Sequence, residues 1–551
     1  MKKHLLYILL IITSLSTYAQ TKNLTIKYLT SYNGETDTTS CTTVEATPQA
    51  AKIWYNGEEE YPDAPKKCTY IDYITKTCTN TATLSEGKTI ATQTSFEYNK
   101  DWKFSAETDE ILGYSCHKAT TTINSNRIEI FYATDTLYKG TPVPNFGITN
   151  GLIFKVIVNG NRVIEAVDIA TTESRNVLPN NYGTIISRNS YQKQLNDAAV
   201  KTVNVFHNNR ICYAPDKKDE GKIEDGDVIS FANGTVIVRQ VTLPAGSWNY
   251  DIFAKLSQYS DGDAYDRTGS VFIIPQGKTL SYLDALEHGI EVLPYFTDNS
   301  GAKYHGLIST EDYDVPVEMM RFYTAFGTRK YNHIEYGDYN WFDSIIFEQD
   351  VTHLSTLLCD KVLIGMYIGN YDANGHIVNL DLQFHPKFED ITPNKITPLF
   401  CTLNIMEMGG QPYPVFFAND TLEVDFQLDD NCEEVVLSYI STGHGGWGGG
   451  DEFNKKPNTI IFDDNSTSFI PWRYDCASYR ERNPCSGNFN NGLSSSDYSR
   501  SGWCPGTITN PTEFYYSGVK SGSHRIRICI PQGAKEGGSF SSWNVSGILI
   551  Y

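Results

Sequence analysis

The chain has 551 residues and a formal charge of −20, because 65 Asp and Glu residues outnumber 45 Lys and Arg residues. This negative charge argues against a nucleic acid as the partner, and the length predicts about three domains. Tyr, Phe and Gly are frequent, with 36, 26 and 42 residues, and these residue types favour strands and turns over helices. We therefore expect an almost entirely β protein.

The N-terminus has the features of a secretory signal. Lys2 and Lys3 precede an apolar run over residues 5–15, and Ala19 is a small residue at a plausible cleavage point. The run is shorter than the roughly 20 residues that cross a bilayer. We predict a signal peptide over residues 1–19, a protein exported to the periplasm or the medium, and no membrane span.

The twelve cysteines of the chain favour disulfides over metal sites. An exported protein meets an oxidising compartment, and the sequence contains no Cys-x-x-Cys pair. The simplest pair to propose is Cys485 with Cys504, which closes a loop rich in Asn, Ser and Gly and stabilises by about 3 kcal/mol. We predict no bound metal and no cofactor.

Short strand-like segments recur along the chain. The first clear pair, IFKVIV and RVIEAVDI, flanks Asn159-Gly160, which is a strong hairpin signal. The single credible helical turn is DVTHLSTLL, where Asp350 or Thr352 caps the start and the leucines form an apolar face. A long series of short strands is typical of antiparallel sandwiches.

Two polar connections divide the mature chain. They are NSYQKQLNDAAVKT, at residues 189–202, and HPKFEDITPNKITP, at residues 385–398. They predict a β-rich N-terminal domain over residues 20–195, followed by domains over residues 196–390 and 391–551.

Two segments far apart in the chain carry the candidate chemistry. GDAYDRTGSVFI contains Asp263, Asp266 and Arg267, whereas STGHGGWGGGDEF contains Glu452 and is followed by SRSGWCPG with Arg500. Each segment places a carboxylate beside turn-forming glycines, and the arginines can hold or orient a substrate. We interpret the two segments as one active site.

The same segments resemble the bacterial peptide-N-glycosidase F family. The resemblance covers residues 200–551, from KTVNVF through RFYTAFG, FEQDVTHLSTLL and VNLDLQF to DEFNKKPNTIIFDD, NPCSGNFNN and SRSGWCPG. It implies an all-β fold of two tandem eight-stranded antiparallel jelly rolls, here preceded by the separate β domain. It also implies an amidase that cleaves between the innermost GlcNAc of an N-glycan and asparagine. The expected partners are N-glycosylated peptides and glycoproteins, and we expect a monomer.

The resemblance assigns roles to individual residues. The family's principal catalytic aspartate corresponds to Asp266, which we expect to be the general base, and its second essential carboxylate corresponds to Glu452. Arg267 and Arg500 are expected to bind the substrate or stabilise an oxyanion, and Asp263 to contact the substrate or cap a turn. An ion pair between Asp266 and Arg267 requires a turn, since adjacent strand residues point to opposite faces.

The sequence departs from the family in its cysteines. The family disulfide near SRSGWCPG corresponds to Cys485 with Cys504. Two other family disulfides are missing, because Gly450, Asn454 and Gly262 stand where the family has cysteines. We expect the loops that carry the carboxylates to be braced differently.

The sugar-contacting wall also departs from the family. The family's third cleft acid corresponds to Tyr367, and a tryptophan two positions later corresponds to Gly369. Aromatic rings pack on the C–H faces of sugars, so Tyr265, Trp447, Trp503 and Tyr367 are candidate substrate contacts. A core position is the competing interpretation for each Trp and Tyr in a β-sandwich.

Three other functions fit parts of the sequence. Paired jelly rolls also build copper-dependent monooxygenases, for which His444 is the one candidate ligand near the site. An endo-acting glycoside hydrolase would use Asp266 and Glu452 on a glycosidic bond and leave one sugar on asparagine. A lectin-like module, favoured by the acid missing at Tyr367, would bind glycopeptide without releasing a product.

The N-terminal segment has a fainter resemblance. ILGYSCHKATTTI and GITNGLIF are similar to an exported β-rich family of unknown function. Longer glycosidase relatives also carry an N-terminal β domain, and we expect this one to screen or help bind the substrate.

Overall fold

The computed structural model describes residues 22–56, 65–84, 87–97, 101–146, 151–217, 219, 221–387, 392–445, 450–533 and 540–551. The chain divides into two compact units, Met1–Ala199 and Val200–Tyr551. The predicted signal peptide and the predicted division at residue 390 lie outside the described residues. In the part of the chain that is described, no helix is both long and apolar enough to span a membrane.

The first unit is built on one antiparallel sheet. Its strands are β1 Asn23–Tyr32, β2 Glu35–Thr36, β3 Cys41–Ala46, β4 Ala50–Asn56, β5 Lys66–Asp72, β6 Thr77–Thr83, β7 Thr89–Ser95, β8 Lys103–Ile111, β9 Tyr114–Ile123, β10 Asn126–Ala133, β11 Leu152–Val158, β12 Arg162–Thr172 and β13 Thr184–Ile185. The strand order is β13-β7-β6-β5-β4-β3-β1-β12-β11-β10-β9-β8, with β2 paired to β1 and only β13 parallel to its neighbour. Side chains alternate as the strand period requires, since Leu24, Ile26 and Tyr28 are buried and Lys27 is exposed.

The hairpin predicted at Asn159-Gly160 is confirmed. Val158 pairs with Arg162 across the turn between β11 and β12. Asn159 and Gly160 both adopt positive φ, at 53° and 79°, which explains why this dipeptide favours the turn.

Two α-helices were missed by the sequence analysis. Helix α1, Arg188–Ala199, occupies the expected polar connection, where Tyr191 and Leu195 lie one turn apart and are buried in a small cluster of the first unit. Helix α2, Tyr282–His288, begins with a capping box of Ser281 and Asp284.

The predicted helical turn at DVTHLSTLL is confirmed as one 3-10 turn, Thr352–Leu354. The Asp350 carboxylate accepts from the Thr352 backbone N (2.9 Å), while Leu354 and Leu358 are buried. The other described 3-10 helices are Pro144–Phe146, Ile223–Asp225, Ala232–Gly234, Ser247–Asn249, Ile290–Val292, Glu407–Gly409, Phe416–Ala418, Cys476–Arg482 and Ser495–Asp497.

The second unit contains two jelly rolls, which confirms the predicted fold class. The strands up to the second polar connection are β14 Lys201–Ile211, β15 Ile229–Phe231, β16 Val236–Leu243, β17 Tyr250–Ser260, β18 Thr268–Ile274, β19 Tyr295–Thr297, β20 Lys303–His305, β21 Val317–Tyr323, β22 Ile345–Asp350, β23 Asp360–Ile368 and β24 His376–Pro386. The later strands are β25 Ile396–Cys401, β26 Leu422–Leu428, β27 Cys432–His444, β28 Asn458–Phe462, β29 Asn465–Phe469, β30 Ile508–Thr509, β31 Thr512–Val519, β32 Gly522–Cys529 and β33 Ser542–Ile550.

Each jelly roll packs two sheets over an apolar core. The first combines β14-β24-β17-β22 with β15-β16-β23-β18-β21-β30, and its core includes Leu256, Val271 and Met366. The second combines β25-β33-β27-β31 with β26-β32-β28-β29, around Leu437 and Ile526. Strands β19 and β20 form a separate small hairpin.

The two jelly rolls share both a strand and a buried ion pair. Strand β30 lies in the chain of the second roll but pairs with β21 of the first. Arg321, fully buried, pairs with Glu318 and donates to the Asn544 carbonyl oxygen (2.5 Å) and the Thr442 hydroxyl (3.2 Å) of the second roll. A buried charge needs such partners, so the first roll depends on the second for the acceptors of Arg321 and for strand β30.

Candidate active site

The two carboxylate segments meet where the jelly rolls join. Asp266 lies in the connection from β17 to β18, whereas Glu452 follows β27 and Arg500 precedes β30. Arg500 Nη1 lies 3.1 Å from Asp266 Oδ2 and also hydrogen-bonds Glu452 Oε1. The structure thus brings together the three residues that the sequence analysis placed in one site.

Arg500 is the organising cation of this site. Its side chain is only 1% exposed, whereas Asp266 and Glu452 are 16% and 19% exposed. Nη2 donates to the Ser495 carbonyl oxygen (2.7 Å), and the guanidinium lies 4.4 Å from the centre of the Trp503 ring. Ser495 and Trp503 therefore hold the buried Arg500 side chain, while both carboxylates remain partly accessible to solvent.

Burial raises the pKa of both carboxyl groups, and the shared cation does not cancel this effect. Burial raises the pKa of Asp266 to about 7, and the nearby Glu452 adds to this effect while Arg500 opposes it. Burial also raises the pKa of Glu452, again against the influence of Arg500. One guanidinium cannot fully compensate two partly buried carboxylates, so this pair can take up and release a proton near pH 7.

Arg267 pairs with Asp263 and not with Asp266. Arg267 Nε and Nη2 donate to the two Asp263 carboxylate oxygens at 2.6 and 3.2 Å. The Thr324 hydroxyl accepts from Arg267 N (2.7 Å) and donates to the Tyr265 carbonyl oxygen (3.0 Å), which anchors this loop. The chain bends at Tyr265, and the Arg267 side chain reaches back four residues to Asp263, while Asp266 contacts Arg500.

Asp263 is a buried positioning residue. His376 Nε2 lies 3.4 Å from its carboxylate, and Gln258 donates to His376 Nδ1 (2.9 Å), which leaves the imidazole proton on Nε2. Burial alone raises the pKa of Asp263, but the hydrogen bonds from His376 and Arg267 outweigh burial and hold it at about 2. Its carboxylate is only 2% exposed and orients Arg267, so the predicted substrate contact is wrong. The carboxylate also accepts from the Tyr265 backbone N (3.2 Å), which confirms the predicted turn cap.

The predicted disulfide between Cys485 and Cys504 is wrong. Cys504 is bonded to Cys476, and the Cys485 thiol donates instead to the Ala264 carbonyl oxygen (3.1 Å) beside the catalytic loop. Burial raises the pKa of the Cys485 thiol to about 11, so it stays protonated. The other cysteines, all of which lie in described residues, are free thiols, which contradicts the expectation of many disulfides.

Hydrogen bonds brace the Glu452 loop where the family has cysteines. Asn454 Nδ2 donates to the Gly450 carbonyl oxygen (2.8 Å), so the two positions remain linked. The Ser501 backbone N donates to the Glu452 carbonyl oxygen (3.0 Å), which ties the loop to the neighbour of Arg500. At Gly262, a Cβ would overlap the Asp372 carboxylate, so no side chain fits there. These contacts brace the loops by hydrogen bonds and close packing.

The aromatic candidates for substrate contact differ in their exposure. Tyr265 is exposed, and its ring centre lies 4.9 Å from the Arg267 guanidinium, so it is available to a substrate. Trp503 is 3% exposed, donates to the Gly443 carbonyl oxygen (3.0 Å) and supports Arg500, so its predicted sugar contact is wrong. Trp447 lies outside the described residues.

A third carboxylate, Glu407, was missed by the sequence analysis. Tyr367 is buried, and its hydroxyl reaches Glu407 Oε2 (3.4 Å), while the hydroxyls of Tyr371 and Tyr413 donate to Oε1. A Cβ at Gly369 would lie 3.2 Å from Glu407 Oε2 and would overlap the Tyr367 hydroxyl. Glu407 therefore supplies an acid beside the position where the family acid is replaced by Tyr367, and the expected direct contact of Tyr367 with substrate is wrong. Nothing in the surrounding NIMEMGG marks this residue.

His444 has a hydrogen-bonding role in the interior. Its Nε2 lies 2.9 Å from the Thr442 hydroxyl and 3.2 Å from the Tyr323 hydroxyl. Burial, together with the nearby cations Arg321 and Arg500, lowers the pKa of His444 to about 3. Thr442 and His444 lie on the same strand, β27, whereas Tyr323 belongs to β21 of the first roll, so the contact with Tyr323 joins the two jelly rolls.

Family models match three parts of the chain. The family models for peptide-N-glycosidase F, N terminal, and peptide-N-glycosidase F, C terminal, match residues 202–384 and 412–550, and that for the N-glycanase peptide, N-terminal domain, matches residues 26–193. No curated protein matches the chain.

Solved structures match as well. Two crystal structures of PNGF-II, in space groups P21 and C2, are each 38% identical over 96% of this chain, cover 99% and 98% of their own, and have TM-scores of 0.72 and 0.68. PNGase F of Flavobacterium meningosepticum is 16% identical over 64% of this chain and 95% of its own, with a TM-score of 0.40. The chain is therefore an amidase of the peptide-N-glycosidase F family with an additional N-terminal β domain.

Proposed function

We propose that this enzyme hydrolyses the amide between the innermost GlcNAc of an N-glycan and asparagine, with aspartate and a glycosylamine as products. The observation that carries the proposal is the pairing of Asp266 and Glu452 on one buried guanidinium, Arg500. Amide hydrolysis needs an activated water, a polarised carbonyl and a proton for the departing amine. This site offers a group for each need.

Asp266 is the general base in this mechanism. A base is most effective when its pKa lies near the working pH, and the pKa of Asp266 is raised to about 7. Once Asp266 has taken a proton from the attacking water, the same proton can pass to the leaving amine. Glu452, which is also protonated more readily than an ordinary glutamate, holds a second water or the substrate amide.

The two arginines divide the remaining work. Arg500 is enclosed by its partners and keeps the carboxylates in place. Arg267 is partly exposed, and in the described residues its Nη1 has no hydrogen-bond partner, since Asp263 occupies Nε and Nη2. Arg267 Nη1 is therefore the donor available to the developing oxyanion or to the inner sugar.

Glu407 binds a hydroxyl of the inner sugars. A hydrogen bond to a charged group contributes about 1.5–3 kcal/mol, so Glu407→Gln is expected to raise KM by about 10- to 100-fold with little change in kcat. Steady-state kinetics on a defined N-glycopeptide measures this. Tyr413→Phe, which removes one hydroxyl from Glu407 but keeps the carboxylate, serves as the matched control and is expected to have a smaller effect. Unchanged KM in Glu407→Gln would exclude the contact.

The reaction itself is tested by mass spectrometry in heavy-oxygen water. A defined N-glycopeptide incubated with the enzyme is expected to yield aspartate that carries one heavy oxygen, and Asp266→Asn is expected to yield it about 10²–10⁴-fold more slowly. A single GlcNAc left on asparagine would identify an endo-acting glycoside hydrolase instead. An intact glycopeptide across several glycan types would identify a binding module.

We propose that the enzyme acts outside the cytoplasm. The charged and apolar N-terminal sequence supports export, and a disulfide between Cys476 and Cys504 suits an oxidising compartment. N-glycosylated peptides and glycoproteins are the substrates that it would meet there.

A further inference from the structure

A cluster of aromatic side chains lies in the connection between β21 and β22. Tyr336, Tyr339 and Phe342 are 50%, 40% and 42% exposed, and Trp341 is half-buried among them. We call these four residues the aromatic rim. Single exposed apolar residues are common, but a contiguous group of large rings on a surface marks a binding site.

The aromatic rim is preorganised. Tyr339 and Trp341 stack with ring centres 5.8 Å apart and planes inclined by 12°, and Tyr336 lies 5.4 Å from Tyr339. Trp341 Nε1 donates to the Ile334 carbonyl oxygen (2.6 Å). Because the rings are already fixed, a ligand would not bear the entropy cost of ordering them.

Two arginines support the rim from beneath. The guanidinium of Arg480, a residue only 7% exposed, lies 4.5 Å from the Tyr336 ring centre and 5.5 Å from that of Trp341. Arg482 lies 5.8 Å from the Phe342 ring. These cation–π contacts hold one face of the rings and leave other ring surface exposed.

The connection that carries the rim contacts the loop that carries Asp266. The Tyr331 hydroxyl, in the same connection, donates to the Gly262 carbonyl oxygen (3.1 Å) at the start of the loop that carries Asp266. The supporting arginines belong to the segment Cys476–Arg482, which is bonded through Cys476 to Cys504 near Arg500. The loop that carries Asp266 and the segment that carries Arg480 and Arg482 thus both contact the connection between β21 and β22.

We propose that the aromatic rim binds sugar residues of the N-glycan beyond the inner chitobiose, and this inference rests on the proposed function. Flat rings match the C–H faces of pyranoses, so the ring faces of Tyr336 and Tyr339 carry the contact. A stable protein interface buries about 800 Å² on each partner, which four side chains do not provide. A short run of sugars fits the rim better than a folded protein surface.

The test compares two glycopeptides that share one peptide, the first with chitobiose alone and the second with a longer N-glycan. The double variant Tyr336→Ala/Tyr339→Ala is expected to raise KM about three- to tenfold for the longer glycan only, at the scale of aromatic contacts, with kcat unchanged. The matched control Tyr336→Phe/Tyr339→Phe keeps the rings and is expected to stay within about twofold of the parent. Tyr336→Leu/Tyr339→Leu keeps apolar bulk without flat rings and is expected to resemble the alanine variant.

Several results would overturn the proposal. Equal changes of KM for both glycopeptides would do so, as would a change that follows the length of the peptide at constant glycan, which would assign the rim to polypeptide. If the parent enzyme cleaves neither substrate, the proposed function fails, and a binding measurement then tests whether the rim holds sugars. Calorimetry with the free longer oligosaccharide is then expected to show binding to the parent that the alanine variant lacks, and equal binding by both would overturn the inference.

Discussion

Replacing Asp266 with asparagine is expected to lower kcat by about 10²–10⁴-fold, the usual contribution of a positioned proton transfer. Asparagine has nearly the same shape and keeps an oxygen within reach of Arg500, which lies 3.1 Å from the native carboxylate. It cannot accept a proton from water at neutral pH. Initial rates on a defined N-glycopeptide, with mass spectrometry for the residual product, measure the loss.

The pH dependence of kcat/KM tests whether Asp266 is the titrating group. In the parent enzyme kcat/KM is expected to fall below about pH 7, because the pKa of Asp266 is raised to about 7 and only its ionised form is a base. The asparagine variant is expected to lack this acidic limb in its residual rate. An identical limb in the variant would assign the titration to another group.

The thermal stability of Asp266→Asn shows whether this variant loses activity through its chemistry or through unfolding. The folded state binds the Asp266 proton more tightly than the unfolded chain does, since the pKa is raised from 3.8 to about 7. The contribution of this residue to stability therefore decreases as the pH rises through that interval. At pH 8 the asparagine variant, which carries no charge to bury, is expected to unfold at a temperature no lower than the parent. A much lower Tm would show that the variant lost its activity by unfolding.

Replacing Arg500 with methionine is expected to remove both activity and several kcal/mol of stability. Asp266 and Glu452 would lose their shared cation, and breaking a buried ion pair from one side typically costs about 3–5 kcal/mol. Without the guanidinium the pKa of Asp266 rises further, so the remaining activity shifts toward alkaline pH. Urea unfolding and pH–rate profiles measure both effects.

Two further variants sharpen this test. Arg500→Lys keeps the charge but loses the planar fork that contacts both carboxylates and Ser495, so an intermediate loss is expected. Adding Glu452→Gln to Arg500→Met removes one uncompensated charge and is expected to recover part of the stability. Strictly additive losses would show that the three groups are not coupled.

The sequence predicted the architecture and the meeting of the two segments better than it predicted individual contacts. The strands and the Asn159-Gly160 turn are predicted by local sequence patterns. The active-site segments follow one another in the same order as the matching segments of the family. The pairing of Arg267 with Asp263 instead of Asp266 depends on a loop that Thr324 anchors through the Arg267 backbone N. Thr324 comes from another strand connection, so no local pattern reports it.

The wrong disulfide and the missed acid have the same physical origin. Cys476 reaches Cys504 because a 3-10 helix brings it back, while Cys485 faces the catalytic loop. Glu407 enters the site from the second jelly roll and is held by tyrosines of both rolls. Such contacts between distant segments are set by tertiary packing, and composition or spacing carries no record of them.

The short strand β30 has a consequence for how this protein can be divided. The family models stop at residue 384 and resume at residue 412, which invites expression of each half alone or exchange of halves between relatives. A fragment that ends there would leave β21 with an open edge and Arg321 without its acceptors in the other half. Such a fragment would also lack Glu452 and Arg500, so the two halves must be expressed and engineered as a single module.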